Sequence, residues 1–427
     1  MNKKLPNLVY SDRKGKIYVH PDLKMLGMSA HNIVVPLLDQ LIKLPKASTL
    51  LYMPGYLPFG WDDSLNQVVE INNDKNKVFY PVAAMLIPGF TRLLLPAVRR
   101  FNNRTILPQW AYTAVGWSGG DFVVAATKID NLIRQRPYFY KNLTLLRKNI
   151  SMILRQFPHN RLFRHLVNCA LNYNCRAAQN LFFKRWEAPL PTSPVCNSRC
   201  LGCLSLQDSE CSPASHSRID FVPSPEEIAE VAINHLRIAK EAIVSFGQGC
   251  EGEPLLQFKT IKKAIILIRR ATSLGTIHLN TNGYNSEYLK ELASVGLDSV
   301  RISINSFREN IYTAYYRPKG YTFNDVLKSI RIAKKSRLFT SINLLIFPGI
   351  SDALSEIQIL MSFLKKDYID LIQMRNLNID IQFYLDNMPQ TKEKAIGVLN
   401  MIKLIKSKAK NVKFGYFNLP KERFRLN

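Results

Sequence analysis

Residues 193–207 read SPVCNSRCLGCLSLQ, in which Cys196, Cys200 and Cys203 stand at C-x3-C-x2-C spacing just after Pro194. Thiolates are soft ligands, and three on one short loop can converge on a single metal centre without help from distant chain. A closed zinc site would recruit a fourth thiolate, for which Cys211 is the nearest candidate, although zinc modules more often use C-x2-C on both sides. Three buried, inert thiols are the remaining reading.

Such a loop needs a scaffold. Downstream, helix-like and strand-like segments alternate: SPEEIAEVAINHLRIAK, opened by a Ser224/Glu227 capping box, precedes the strand EAIVSFGQG. Helical FKTIKKAIILIRRATSLG, strand TIHLNTNG, helix SEYLKELASVG and strand SVRISINS continue the alternation up to the sixth strand, DLIQMRNLN. About six β/α units with right-handed crossovers give a parallel sheet curled as a barrel or part of one. In such barrels chemistry sits where strands end. Polar and Gly residues collect there: Glu251-Gly252-Glu253-Pro254 after strand two, Asn280-Thr281-Asn282-Gly283 after strand three, Arg301, Ser303 and Asn305 on strand four. Arg375, Asn376 and Asn378 end strand six and are candidate substrate contacts, as is the loop YYRPKGY (315–321); His278 reads as a core histidine.

Composition bounds the rest. At 427 residues the chain exceeds one usual domain, and 47% hydrophobic residues suffice for real cores. Seven cysteines do not form the dense framework of a small secreted protein, and MNKKLPNLVYSDRKGK has no apolar region behind its basic start, so a reducing, cytoplasmic setting is expected. The run VFYPVAAMLIPGFTRLLLPAV holds three prolines and Arg92, which reads as buried core and not as a membrane span. β-like runs fill residues 1–130, and helical spacing takes over from 131. The net charge of +26 is uneven: residues 131–186 carry 11 Lys/Arg and no acid, with Tyr138, Phe139, Tyr140 and Phe157 among them. A surface of that kind suits a polyanion such as RNA.

The C-x3-C-x2-C loop, the G-E-P after strand two and the N-T-N-G after strand three together resemble the radical S-adenosylmethionine (radical SAM) superfamily, over residues ~188 to ~377. The resemblance implies a [4Fe-4S] cluster on Cys196, Cys200 and Cys203, whose fourth iron lacks a protein ligand and takes S-adenosylmethionine. Reductive cleavage of that cofactor then yields a 5′-deoxyadenosyl radical that abstracts hydrogen, and an electron donor of flavodoxin or ferredoxin type is expected. It implies that Gly252 and Glu253 meet the cofactor's amino group, with Arg301, Ser303 and Asn305 near its ribose or carboxylate and Asn280 and Asn282 in the same cofactor-binding set. Two residues depart from the family pattern: Gly202 stands where an aromatic residue usually precedes the third cysteine, and Glu251 stands where a glycine is usual. Glu251 then has a role of its own or faces solvent. Cys211 and Cys250 flank the mouth and are candidate catalytic thiols, as hydrogen donor or radical quencher. No cysteine follows Cys250, against a C-terminal auxiliary-cluster extension.

The expected architecture is α/β: a partial (β/α)6 TIM-like barrel of the radical SAM type over 188–377, preceded by a β-rich N-terminal domain (1–130) and a basic helical connector (131–187), and followed by a helix/strand cap (378–427). RNA or a nucleoprotein is the first substrate reading and a peptide or protein the second; a basic nucleic-acid-binding protein with a structural metal site is the reading outside enzymology.

Overall fold

Alternating apolar residues in the first 130 positions form strands because one face of each can be buried while the other meets solvent. In the computed structural model, which describes residues 5–72, 77–102, 105–130, 140–207, 213–390 and 393–424, they build an antiparallel sheet. Its main path runs Phe90–Arg92, Asp121–Lys128, Thr113–Ser118, Tyr80–Met85, Asn7–Ser11, Ile17–Met25, Tyr56–Asp62 and Val98–Arg100. WSGGD makes a two-residue hairpin: Ser118 pairs with Asp121, and Gly119 and Gly120 take φ of +59° and +85°, as a turn matching the strand twist requires.

Three helices follow, α1 (Leu143–Gln156), α2 (Arg161–Leu171) and α3 (Arg176–Phe182). Asn142 and Asn160 cap the first two, each side chain accepting a backbone N–H of the first turn. Residues 131–139, with Arg134, Arg136, Tyr138 and Phe139, lie outside the described residues.

The β/α alternation yields one curled parallel sheet whose strands lie in chain order: Glu187–Pro189, Ile243–Phe246, Thr276–Thr281, Ser299–Ile304, Phe339–Ile346, Leu371–Asn376 and Lys413–Gly415. The seventh strand comes from the segment expected as a cap and extends the six-unit pattern by one. Ser224 and Glu227 make the expected capping box at the start of α4 (Pro225–Ile238). No helix among the described residues is long and apolar enough to cross a membrane.

The N-terminal sheet docks onto the carboxyl ends of strands five and six. Arg92, buried, donates to the carbonyls of Tyr112 (3.2 Å), Ile346 (3.0 Å) and Leu377 (3.0 Å). Its backbone N–H donates to Asn376 Oδ1 (2.8 Å), and Asn376 Nδ2 donates to Phe90 O (3.0 Å). Tyr56 and the Leu107 N–H both donate to Asp380, at 2.7 and 2.8 Å. One apolar core accordingly runs from Met53 and Leu93 through Leu146 and Phe163 to Ile302 and Ile342.

Arg92→Ala leaves three buried carbonyls unpartnered and should cost about 3–5 kcal/mol; an unchanged urea midpoint would show that the docking does not rest on this side chain. His235, buried with Nε2 2.7 Å from Trp186 O, is pushed down to about 4 by its burial. Below pH ~6.5 the unfolded chain takes up a proton that the fold refuses until about pH 4, so stability is lost as pH falls through that window. His235→Gln should flatten the acid limb of the stability curve by up to about 1.4 kcal/mol per pH unit, read from urea titrations at pH 4.5 and 6.5.

Candidate metal centre at the barrel mouth

The cysteine loop leaves strand one at the mouth, where the end of strand two holds it. Gly252 N–H donates to Ser193 O (2.7 Å) and Glu253 N–H to Val195 O (2.9 Å). A Cβ on residue 252 would fall 1.9 Å from Val195 O, so only glycine permits this approach. Glu251 does not face solvent. Its buried carboxylate accepts Thr192 N (2.8 Å) and Ser193 N (3.0 Å) on one oxygen, and Gly247 N (2.7 Å) and Gln248 N (2.8 Å) on the other. Burial pushes Glu251 up to about 7, against the pull of these donors toward the anion. The glutamate that replaces the usual glycine thus rivets the entry of the cysteine loop to the exit of strand two.

Strand three joins through Glu253, whose carboxylate accepts Thr281 Oγ1 (2.6 Å), Leu255 N (3.0 Å) and Asn282 N (2.8 Å). Burial pushes this group up to about 7 as well. Asn282 Nδ2 then donates to Asn197 Oδ1 (2.7 Å) and Ser198 Oγ (3.2 Å), inside the cysteine loop itself. Asn280 turns inward, donating to Phe246 O (2.8 Å) with Oδ1 3.0 Å from His278 Nε2. His278, its other nitrogen 2.7 Å from Ser299 Oγ, is a satisfied interior histidine pushed down to about 4 by burial.

The loop so held presents three half-buried thiols. Burial, then Glu253, pushes Cys196 up to about 11, and burial, then Cys196 and Cys203, raises Cys200. Arg218 reaches in, Nη2 3.5 Å from Cys203 Sγ and Nε 3.1 Å from Ser205 Oγ. A pocket of about 150 Å³ opens over Cys200 and Cys203, walled by Ser198, Arg199, Arg218, Arg317 and Phe383.

The missing aromatic at Gly202 has a physical explanation. A Cβ there would stand 2.8 Å from Tyr315 Oη, so the buried Tyr315 ring, which comes from the end of the helix Glu309–Tyr316, fills that space from the opposite side. The loop YYRPKGY braces the cysteine loop: Leu201 N donates to Tyr315 O (3.0 Å), Lys319 N to Asn197 O (2.8 Å), and Ser198 Oγ meets Tyr321 Oη at 2.7 Å.

Deeper in the barrel, Arg301 donates to Gln373 Oε1 (2.8 Å) with its Nε unpartnered among the described residues. Asn305 Oδ1 and Asn343 Oδ1 are buried and unpartnered as well, and Asn343 lies opposite Ser303 in the register of strands four and five. Asn343 is a candidate that sequence reasoning misses, since nothing local marks which strand positions face inward. Arg375 donates to Tyr416 O (3.2 Å) and packs over that ring, and Asn376 is consumed by the docking of the N-terminal sheet. Asn378 is half-buried, its carbonyl 3.4 Å from where a Cβ on Gly202 would stand. Cys250 is buried and groups with Cys169 and His165 of α2, while Cys211 lies outside the described residues.

Residues 190–363 match the family described as the radical SAM superfamily. An uncharacterized protein of Methanocaldococcus jannaschii is 32% identical over 163 residues, covering 36% of this chain and 55% of that one. A GTP 3′,8-cyclase of Thermodesulfovibrio yellowstonii is 30% identical over 159 residues, covering 37% and 46%. The chain spans about half the length of the curated relatives it matches. Among solved structures, the FeFe-hydrogenase maturase of Carboxydothermus hydrogenoformans aligns at 13% identity over 64% of this chain and 69% of that one, with a TM-score of 0.39. The matched residues, 190–363, hold the three-cysteine loop and the strand ends that brace it, and through them the chain is similar to the radical SAM superfamily.

Proposed function

We propose that the protein is a radical SAM enzyme in which Cys196, Cys200 and Cys203 hold three irons of a [4Fe-4S] cluster and the open iron takes S-adenosylmethionine. The observation that carries this reading is the cysteine loop itself, three half-buried free thiols within eight residues whose backbone is tied to the ends of strands two and three. When bound, the two cofactors supply reductive C–S cleavage and a radical able to abstract hydrogen from a substrate, and the family needs an electron donor, here of flavodoxin or ferredoxin type. The chain's own groups position and shield. Gly252 has its N–H committed to Ser193, so an incoming amine meets its carbonyl. Glu253 is held by three donors and adds a negative charge to the same corner. Tyr315, buried with its Oη against Gly202, occupies the space that a side chain there would need. Arg301, Ser303, Asn305 and Asn343 are the inward polar groups left for cofactor or substrate. Gln109, from the N-terminal region, donates to Cys203 O (3.1 Å) and closes one side of the loop against water. A cytoplasmic setting suits the free thiols.

RNA is the proposed substrate class, supported by the outer face of α1. Arg147, Lys148 and Arg155 are exposed there and have no ion-pair partner among the described residues, with Leu145 and Met152 exposed beside them. Other cations of the connector serve the fold: Arg161 pairs with Glu227, and Arg176 and Arg185 stack on Tyr140. The GTP 3′,8-cyclase relatives are named for chemistry on a nucleotide, which is consonant with a nucleotide-bearing substrate.

Cys196→Ala, Cys200→Ala and Cys203→Ala should each abolish the cluster while Cys175→Ala retains it; iron that stays near four per chain in any of the three would reject the ligand set. Glu251→Gln places an NH2 against backbone N–H donors and should loosen the loop by about 2–4 kcal/mol, seen as iron loss on gel filtration of the anaerobic protein. Iron retained as in the wild type would remove Glu251 from the account. Arg147, Lys148 and Arg155 changed together to Gln should flatten the log–log salt dependence of single-stranded RNA binding by roughly two units with iron content intact. RNA affinity that is undetectable near 0.15 M salt would move the substrate to a peptide.

A further inference from the structure

A second cluster of metal-type ligands lies outside the mouth. His165 and Cys169 sit four residues apart on α2 and so share one helix face, and Cys250 comes from the loop between strand two and Glu251. One ligand atom from each lies within 4.8 Å of both others. His165 Nε2 stands 3.5 Å from Cys169 Sγ. Nitrogen at about 2.05 Å and sulfur at about 2.3 Å from a tetrahedral zinc are separated by about 3.6 Å, so this pair already has the spacing of two ligands on one ion. Two buried thiolates and a neutral imidazole also balance the charge of a divalent cation, which removes the cost of burying either thiolate alone. The segment leading to Ile219, whose N–H donates to Cys250 O (2.8 Å), packs beside this cluster.

We propose that His165, Cys169 and Cys250 bind a zinc ion, forming a site separate from the three-cysteine loop. Binding displaces the two thiol protons and leaves the metal's oxidation state unchanged. The ion joins α2 to the residue immediately before Glu251, and so ties the basic helical segment to the rivet that holds the cysteine loop. Its role is structural, and it stands or falls independently of the iron chemistry.

The test uses the full-length chain with Cys196, Cys200 and Cys203 all changed to Ala, which removes thiolates of the other site, loaded with cobalt(II) as an optical probe and dialysed. The expected result is about one cobalt per chain with a thiolate-to-cobalt charge-transfer band in the near ultraviolet. The band should be lost in Cys169→Ser and in Cys250→Ser, weakened in His165→Ala and restored in His165→Cys. In the wild-type holoprotein the same site should read as about one zinc beside about four irons per chain. Cobalt and zinc both far below one per chain would overturn the proposal, as would a charge-transfer band insensitive to Cys169→Ser and Cys250→Ser. Isolation of Cys169 and Cys250 as a disulfide-linked peptide pair from anaerobically purified wild-type protein would overturn it in favour of a redox pair.

Discussion

The Glu251 carboxylate organises this molecule. A carboxylate has about four lone-pair sites, and all are taken here by backbone N–H groups, two from the entry of the cysteine loop and two from the exit of strand two. Backbone donors in a buried loop must be satisfied somewhere, and one side chain satisfies four that no strand or helix can reach. The close stacking of Gly252 on Val195 and the reach of Asn282 to Asn197 follow from that alignment, because both need the two loops in register to within tenths of an ångström. The loop so held presents three half-buried thiols, of which Cys200 and Cys203 line one pocket.

The half-barrel leaves its mouth open on the side of strands five and six, and the N-terminal sheet covers it. Arg92 is the unusual element: a fully buried guanidinium held by three carbonyls and a ring, Phe347 at 5.3 Å, with no carboxylate partner among the described residues. Burial without a counter-charge lowers its proton affinity, to about 9, yet it remains charged at neutral pH. The contact brings Gln109 against the cysteine loop, so the β-rich region becomes a wall of the site. The zinc site proposed at His165, Cys169 and Cys250 would fix the opposite flank.

What could be read in advance was local. The cysteine spacing, the capping box of α4 and the alternation of helix and strand are encoded within a few turns of chain, and they survive folding unchanged. The roles that escaped depend on remote partners. Glu251 meets amides 59 residues away, Gly202 is explained by a tyrosine that arrives after strand four, and Asn376 looked like a substrate contact until a segment 284 residues earlier covered it. Cys250 seemed near the mouth by sequence order, but the loop before Glu251 turns its side chain toward α2. The seventh strand, only three residues long, was expected within a cap, because nothing local tells that it pairs with Leu371–Asn376 and extends the sheet.

The central claim is that this braced loop holds a cube with one open iron, and electron paramagnetic resonance tests it most directly. The anaerobically reconstituted, dithionite-reduced protein should carry about four irons per chain and give a reduced-cluster signal whose g-values shift on addition of S-adenosylmethionine, because the cofactor binds the iron that no cysteine holds. A protein that holds zinc in place of iron on the three cysteines, or a cluster signal unmoved by saturating S-adenosylmethionine, would contradict it.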